Sequence, residues 1–176
     1  MMKNNTKMTM MTPDVAKEKI VSLLGEVKRD GIDNLIKFVQ ESDYLTDATC
    51  YSHHKDRHGL MFHSLEVLDA MLGSDTEGFA RESIILVGLC HDLGKARKNR
   101  RHVGRGHHPQ RSLYILRQCG VKLSDLERDA IRYHHPKTVK AYASALGNPL
   151  QLLLHKGDCI STGMDKAGSS YVFNNI

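Results

Sequence analysis

His91-Asp92 closes the apolar run Ile84-Ile85-Leu86-Val87-Gly88-Leu89-Cys90, placing an imidazole and a carboxylate side by side at the end of a buried segment. Both groups can bind one cation. Lys95, three residues beyond Asp92, brings a primary amine close to the same charge. Other potential ligands are spread along the chain: His63 upstream, and His108, His134, His135 and Asp158 downstream. Each stands on, or at the edge of, a segment that reads as a helix. Carboxylate and imidazole donors suit Mn, Fe, Ni or Zn. Two such cations can clamp both oxygens of a displacement at phosphorus.

Taken singly, each residue has a plainer explanation. His63 could be a core imidazole bonded to a carbonyl. His134-His135 could be a helix C-terminus, where the dipole favours cations. Asp158, beside Lys156, could be a surface charge. Together they read differently. His63 lies among apolar residues, where an unpaired imidazole is costly. Asp92 follows an apolar run and needs a partner. Asp158 follows Leu152-Leu153-Leu154 and stands three residues after His155, a position that can face inward. A helical bundle can point ligands from several helices into one core.

The elements that must position these groups are helices. Thr12-Pro13-Asp14 is a helix start, with Thr12 as N-cap and Pro13 in the first turn, and the stretch ends at Gly31. Ile32, Leu35, Ile36 and Val39 predict a short second helix stopped near Ser42-Asp43. Residues 43–58 read as a polar loop holding His53, His54 and His58. A mostly apolar helix runs from Gly59 to Leu72. Phe79 to Asp92 has the continuous apolar character of a buried central helix, and Gly94 then lets the backbone turn. Pro109 to Cys119 is helical. Ser124-Asp125-Leu126-Glu127 is a capping box opening a helix to Tyr133. His135 precedes Pro136 and so sits at a break. Short helices are expected over 137–146 and from Pro149. No strand alternation is present. The expected organisation is a disordered 1–12, one all-α helical bundle of six to eight helices over 13–165, and a tail, 166–176.

A chain of 176 residues can bury a real core. Trp is absent and aromatics are sparse, so that core is aliphatic, which favours helices. The four cysteines are widely spaced with no CxxC pair. No leader-like apolar segment follows the N-terminus, and no apolar run approaches the roughly 18 residues that span a bilayer. These features predict free thiols, a cytoplasmic home and no membrane partner. Net charge is +5. Removing Lys95, Arg97, Lys98, Arg100, Arg101 and Arg105 leaves 19 basic against 20 acidic residues. The basic character is therefore one segment directly after His91-Asp92. It is expected to gather substrate phosphate at the site mouth.

His63, His91-Asp92 and Asp158, in that order and on helices, resemble the H…HD…D signature of the HD-domain metal-dependent phosphohydrolases. Gly59 to Val67 is similar to that family's first-ligand helix, and Cys90-His91-Asp92-Leu93-Gly94-Lys95 resembles its HDxGK motif. His108-Pro109 and Tyr133-His134-His135 resemble the additional ligands of binuclear members, including the branch that cleaves cyclic dinucleotides. The resemblance runs from about Gly59 to Asp158. It implies an all-α fold of the HD-domain type and hydrolysis of phosphoesters by a hydroxide held between metals. It also implies one or two divalent ions (Mn, Fe, Ni, Zn or Mg). His63, His91, Asp92 and Asp158 would hold the first; His108, His134 and His135 would hold the second, with Asp92 bridging. Asp92 and Lys95 would be catalytic, Lys95 countering phosphoryl charge. His107 is a rival to His108, but Pro109 fits the pattern better with His108. Pro136-Lys137-Thr138 stands where the cyclic-dinucleotide branch has Gly-Tyr-Pro, which argues against that branch. Gly59 stands where a third metal would need a carboxylate.

The leading expectation is a phosphohydrolase (phosphodiesterase, nuclease or nucleotidase) acting on a phosphorylated small molecule, nucleotide or nucleic acid. One alternative is a non-catalytic HD module that binds nucleotide or RNA. Another is a structural helical protein stabilised by one closed four-ligand zinc site. Oligomeric state and native metal are open at this level.

Overall fold

The computed structural model describes residues 11–47, 57–96, 108–135 and 147–163. Several expectations fall outside the described residues: disorder over 1–10, the 137–146 helix, the tail, the segment Arg97–Arg105, and His53, His54 and His107. The described residues form seven α-helices and two 3₁₀ turns, with no strand among them.

Helix α1 (Pro13–Glu26) starts as its residues dictate: the Thr12 side chain accepts from Val15 N, and Pro13 occupies the first turn. It stops at Glu26, short of Gly31, and Gly31 instead begins α2 (Ile32–Glu41) with φ 82°. The expected loop after α2 opens with a 3₁₀ turn, Asp43–Leu45. Helix α3 (Gly59–Leu72) buries most of its circumference, including Leu60, Met61, His63, Ser64, Val67 and Leu68. Helix α4 (Arg81–Cys90) buries every residue from Ile84 to Cys90. It is the central rod, touched by α1 and α3, and by the last two helices of the chain. Burying each of those aliphatic side chains contributes roughly 1.5–3 kcal/mol.

After α4 comes the second 3₁₀ turn, Leu93–Lys95. Helix α5 (His108–Gln118) packs against that turn and against α6 (Asp125–Arg132). The capping box at Ser124 and Glu127 is formed in both directions. Glu127 also receives a two-pronged ion pair from Arg29, at 2.7 and 2.8 Å, tying the α1–α2 junction to α6. The last helix, α7 (Pro149–Thr162), is capped by Asn148 and packs along α3. The two helices touch closely because position 157 is glycine: a Cβ there would lie 2.9 Å from the Val67 carbonyl oxygen. That approach brings Asp158 beside His63.

Gly94 serves a purpose different from the expected turn. Its φ is not in the left-handed region. A Cβ at this position would overlap the His108 carbonyl and lie 2.7 Å from Arg111 Cβ. The glycine lets the start of α5 rest on the turn that follows Asp92.

Candidate metal centre

Three structural pieces hold His91 and Asp92 in place. The α-helical bonding of α4 continues to His91, whose N–H donates to Val87 O. The Tyr44 hydroxyl donates to Leu89 O at 2.7 Å, anchoring the last turn. Ser112 of α5 receives Gly94 N–H at 2.9 Å, and its Oγ lies 2.8 Å from His91 O and 3.1 Å from His108 O. One hydroxyl thus joins the turn carrying Asp92 to the helix carrying His108. Arg111 adds a bond from Nε to Gly94 O at 2.8 Å.

Asp92 is fully buried, and its two oxygens face different histidines. Oδ2 is 3.4 Å from both His63 Nε2 and His91 Nε2. Oδ1 is 3.2 Å from His108 Nε2 and 3.7 Å from His134 Nε2. Asp158, 4% exposed, places Oδ1 3.2 Å from His63 Nε2 and Oδ2 3.3 Å from His135 Nδ1. Lys95 Nζ stands 2.6 Å from Asp92 Oδ2. The donors fall into two groups, each close enough to share one ion: His63, His91 and Asp92, and His108, His134 and His135. All seven candidate ligands and Lys95 are therefore brought together from α3, α4, α5, α7 and the turns after α4 and α6. Asp158, assigned by resemblance to the first group alone, also reaches His135 of the second.

The rings are aimed by bonds at their far nitrogens. His91 Nδ1 donates to Gly88 O at 2.9 Å, and His134 Nδ1 donates to Ile131 O at 2.7 Å. Both are i−3 carbonyls of the preceding helix. His63 Nδ1 is 3.0 Å from Ser161 Oγ, which donates to Glu66 Oε2 at 2.8 Å. Such partners fix the tautomer and leave Nε2 as the ligand atom. Helix α7 also clasps the backbone before His135: Gln151 Nε2 donates to Tyr133 O at 2.8 Å, and His155 Nδ1 to His134 O at 2.9 Å. These supporting residues were not singled out from the sequence. Serines, a glutamine and a glutamate on helices give no signal until their neighbours are known. His58 lies apart from this set, its Nδ1 donating to Leu45 O at 2.7 Å at the start of α3.

Electrostatics divide the histidines. Burial disfavours a charged His63, but hydrogen bonds to Asp158 and Asp92 prevail and lift it to about 9. Burial pushes His108 down to about 3, and it also lowers His134 and His135. Those three present neutral nitrogens. Burial would raise Asp92, yet the charges of His91 and Lys95 hold it well below the usual carboxylate range. Asp158 is lowered as well, with His63 outweighing its burial.

The donor set fits divalent ions. His108 Nε2 and His134 Nε2 face each other at 3.2 Å beside a carboxylate oxygen. Two neutral ring nitrogens so placed need a cation or shared proton between them. Among the described residues, His91 Nε2 and Asp92 Oδ1 are buried without a hydrogen bond, a costly arrangement unless an ion completes it. Nitrogen and carboxylate donors match first-row divalent metals.

The HD domain family model matches residues 61–161, more than half of the chain. The chain belongs to the HD domain family, an all-α class in the metal-dependent phosphohydrolase superfamily, and its His63, His91 and Asp92 fit the family signature. No curated protein and no solved structure matches the chain. Among the described residues, no helix is long and apolar enough to cross a membrane.

Proposed function

We propose that this chain hydrolyses phosphoester bonds of a nucleotide or nucleic-acid substrate, with divalent metals held by Asp92 and the six candidate ligands around it. The observation that best supports this reading is the division of Asp92: one oxygen toward His63 and His91, the other toward His108 and His134. A carboxylate buried between two donor groups is suited to bridging two ions. In this reading His63, His91 and Asp158 complete one ion's set, and His108, His134 and His135 the other's. Bound there, the metals would supply hydroxide near neutral pH and Lewis acidity at the phosphoryl oxygens.

The chain's own groups do the rest. The dry walls formed by α3 and α4 strengthen every charge interaction at the site. Lys95, on the turn beside Asp92, is placed to neutralise charge that develops on the phosphoryl group. His135 is 37% exposed, whereas His63, His91 and His134 are fully buried. Substrate would therefore approach from the His135 side. Arg97, Lys98, Arg100, Arg101 and Arg105 follow Lys95 directly in the chain, which supports a role in gathering phosphate.

Asp92→Ala tests the reading. Activity on phosphodiesters and phosphomonoesters is expected to fall at least about 100-fold, the scale reached when even an outer partner of a metal ligand is removed. Bound metal is lost in parallel while helical circular dichroism persists. Full turnover by the variant would refute the assignment. Metal binding by the wild type without turnover on any phosphoester would favour the non-catalytic module.

A further inference from the structure

Helices α5 and α6 run antiparallel: His108 at the start of α5 meets His134 just past the end of α6, and residues 119–124 join the other two ends. A groove of about 380 Å³ lies along this hairpin, within the size range of small-ligand sites. Gln110, Tyr114 and Arg117 line it from α5, Arg128 and Arg132 from α6, and Leu123 contributes to its floor. Among the described residues, no acidic side chain lines it. Arg128 is paired within its own helix, to Asp125 at 2.8 Å and Asp129 at 3.6 Å. Arg117 and Arg132 instead lie over aromatic rings, 5.7 Å from the Tyr114 centroid and 5.9 Å from that of Tyr133. Both tyrosines are unusually exposed, at 40% and 43%.

An exposed tyrosine, Tyr114, set among guanidinium groups suits one chemistry above others. Rings stack bases of any sequence, and arginines neutralise the phosphates between them. A mononucleotide would need neither the length nor the repetition. The stretch from Gln110 to Arg117 covers about 10 Å of helix, enough for the nucleotides that flank a reacting phosphate. Its near end, at Gln110 and Arg132, is the end of the hairpin that carries His108 and His134; Gln110 stands about 200° around α5 from His108, so the groove opens on the outer face of the hairpin.

We propose that the α5–α6 groove binds single-stranded nucleic acid, the strand rounding the His108 end of the hairpin to present a phosphate at the metal centre. This rests on the phosphohydrolase reading and narrows its substrate to an oligonucleotide. Tyr114 stacks a base, and Arg117 and Arg132 hold adjacent phosphates.

Fluorescence anisotropy of metal-free protein with labelled eight-nucleotide RNA and DNA strands tests the groove without relying on turnover. Arg117→Glu is expected to weaken strand binding at least about tenfold and to flatten its salt dependence by about one phosphate contact. Tyr114→Ala is expected to weaken it about fivefold or more. In the metal-loaded protein, either change lowers the ratio of oligonucleotide turnover to bis-p-nitrophenyl phosphate turnover. Unchanged strand binding in both variants would overturn the proposal. So would equally tight binding of a poly-glutamate peptide, which has the charge but no bases to stack. Cleavage of the small diester without strand binding would sink this inference and leave the phosphohydrolase reading intact. Groove-dependent strand binding with no hydrolysis of any ester would do the reverse.

Discussion

His63 occupies the most constrained position in the cluster, between Asp92 and Asp158. In metal-free protein it keeps a proton up to about pH 9. An imidazole must be neutral to ligate a metal, so loading an ion expels that proton. Calorimetric titration with Mn in buffers of different ionisation enthalpy should show about one proton released per chain near pH 7.5 and almost none near pH 10. Release independent of pH would mean that His63 is not displaced. The convergence of the seven side chains could be anticipated from the sequence: His63, Asp92 and Asp158 stand out against apolar surroundings, and the rest follow from an order of residues that resembles the HD signature and its binuclear members. Their supports could not. Ser112, Ser161 and Gln151 are ordinary helix residues until the fold puts them against His91 O, His63 and Tyr133 O.

Helix starts were readable where a side chain caps the backbone, as at Thr12 and Ser124, or where a proline opens the first turn, as at Pro149. Helix ends were less so. Helix α1 ends at Glu26, one residue past Gly25 and short of the expected Gly31, with Val27 already extended. Helix α4 begins at Arg81, two residues after Phe79. Gly94 is the instructive case, because a glycine needed for close approach and one needed for a turn look identical in a sequence. Gly94→Ala should push the start of α5 away from the turn after Asp92. The expected outcome is a protein that folds but loses at least about tenfold in metal affinity at the His108 group, the effect of disturbing a ligand's support. Metal affinity equal to wild type would show that the close packing at Gly94 does not position His108.

Across the whole molecule, the Arg29–Glu127 pair links the N-terminal helices to the hairpin that carries His108 and His134. Burial raises the Glu127 carboxyl, but Arg29, Ser83 and the Ser124 backbone outweigh it and hold it at about 2, against an ordinary 4.5. A depressed carboxyl contributes stability that is present above pH 4.5 and lost as pH falls toward 2. With Arg29 partly in water, that contribution is about 1–2 kcal/mol. Chemical denaturation at intervals from about pH 6 to pH 2.5 should show this loss, and Arg29→Gln should remove most of it. An identical pH profile in the variant would exclude the pair as its source. The all-α bundle was legible from periodicity and composition. The Arg29–Glu127 link was not, since 98 residues separate its partners. The central claim for the molecule is that five separate stretches of chain meet to hold divalent ions on the two oxygens of Asp92. Anomalous diffraction from crystals soaked in Mn measures this most directly. Two peaks are expected, one beside His63 and His91, the other beside His108 and His134, each within about 2.3 Å of an Asp92 oxygen. No peak at Asp92, or ions bound only elsewhere on the surface, would contradict the account.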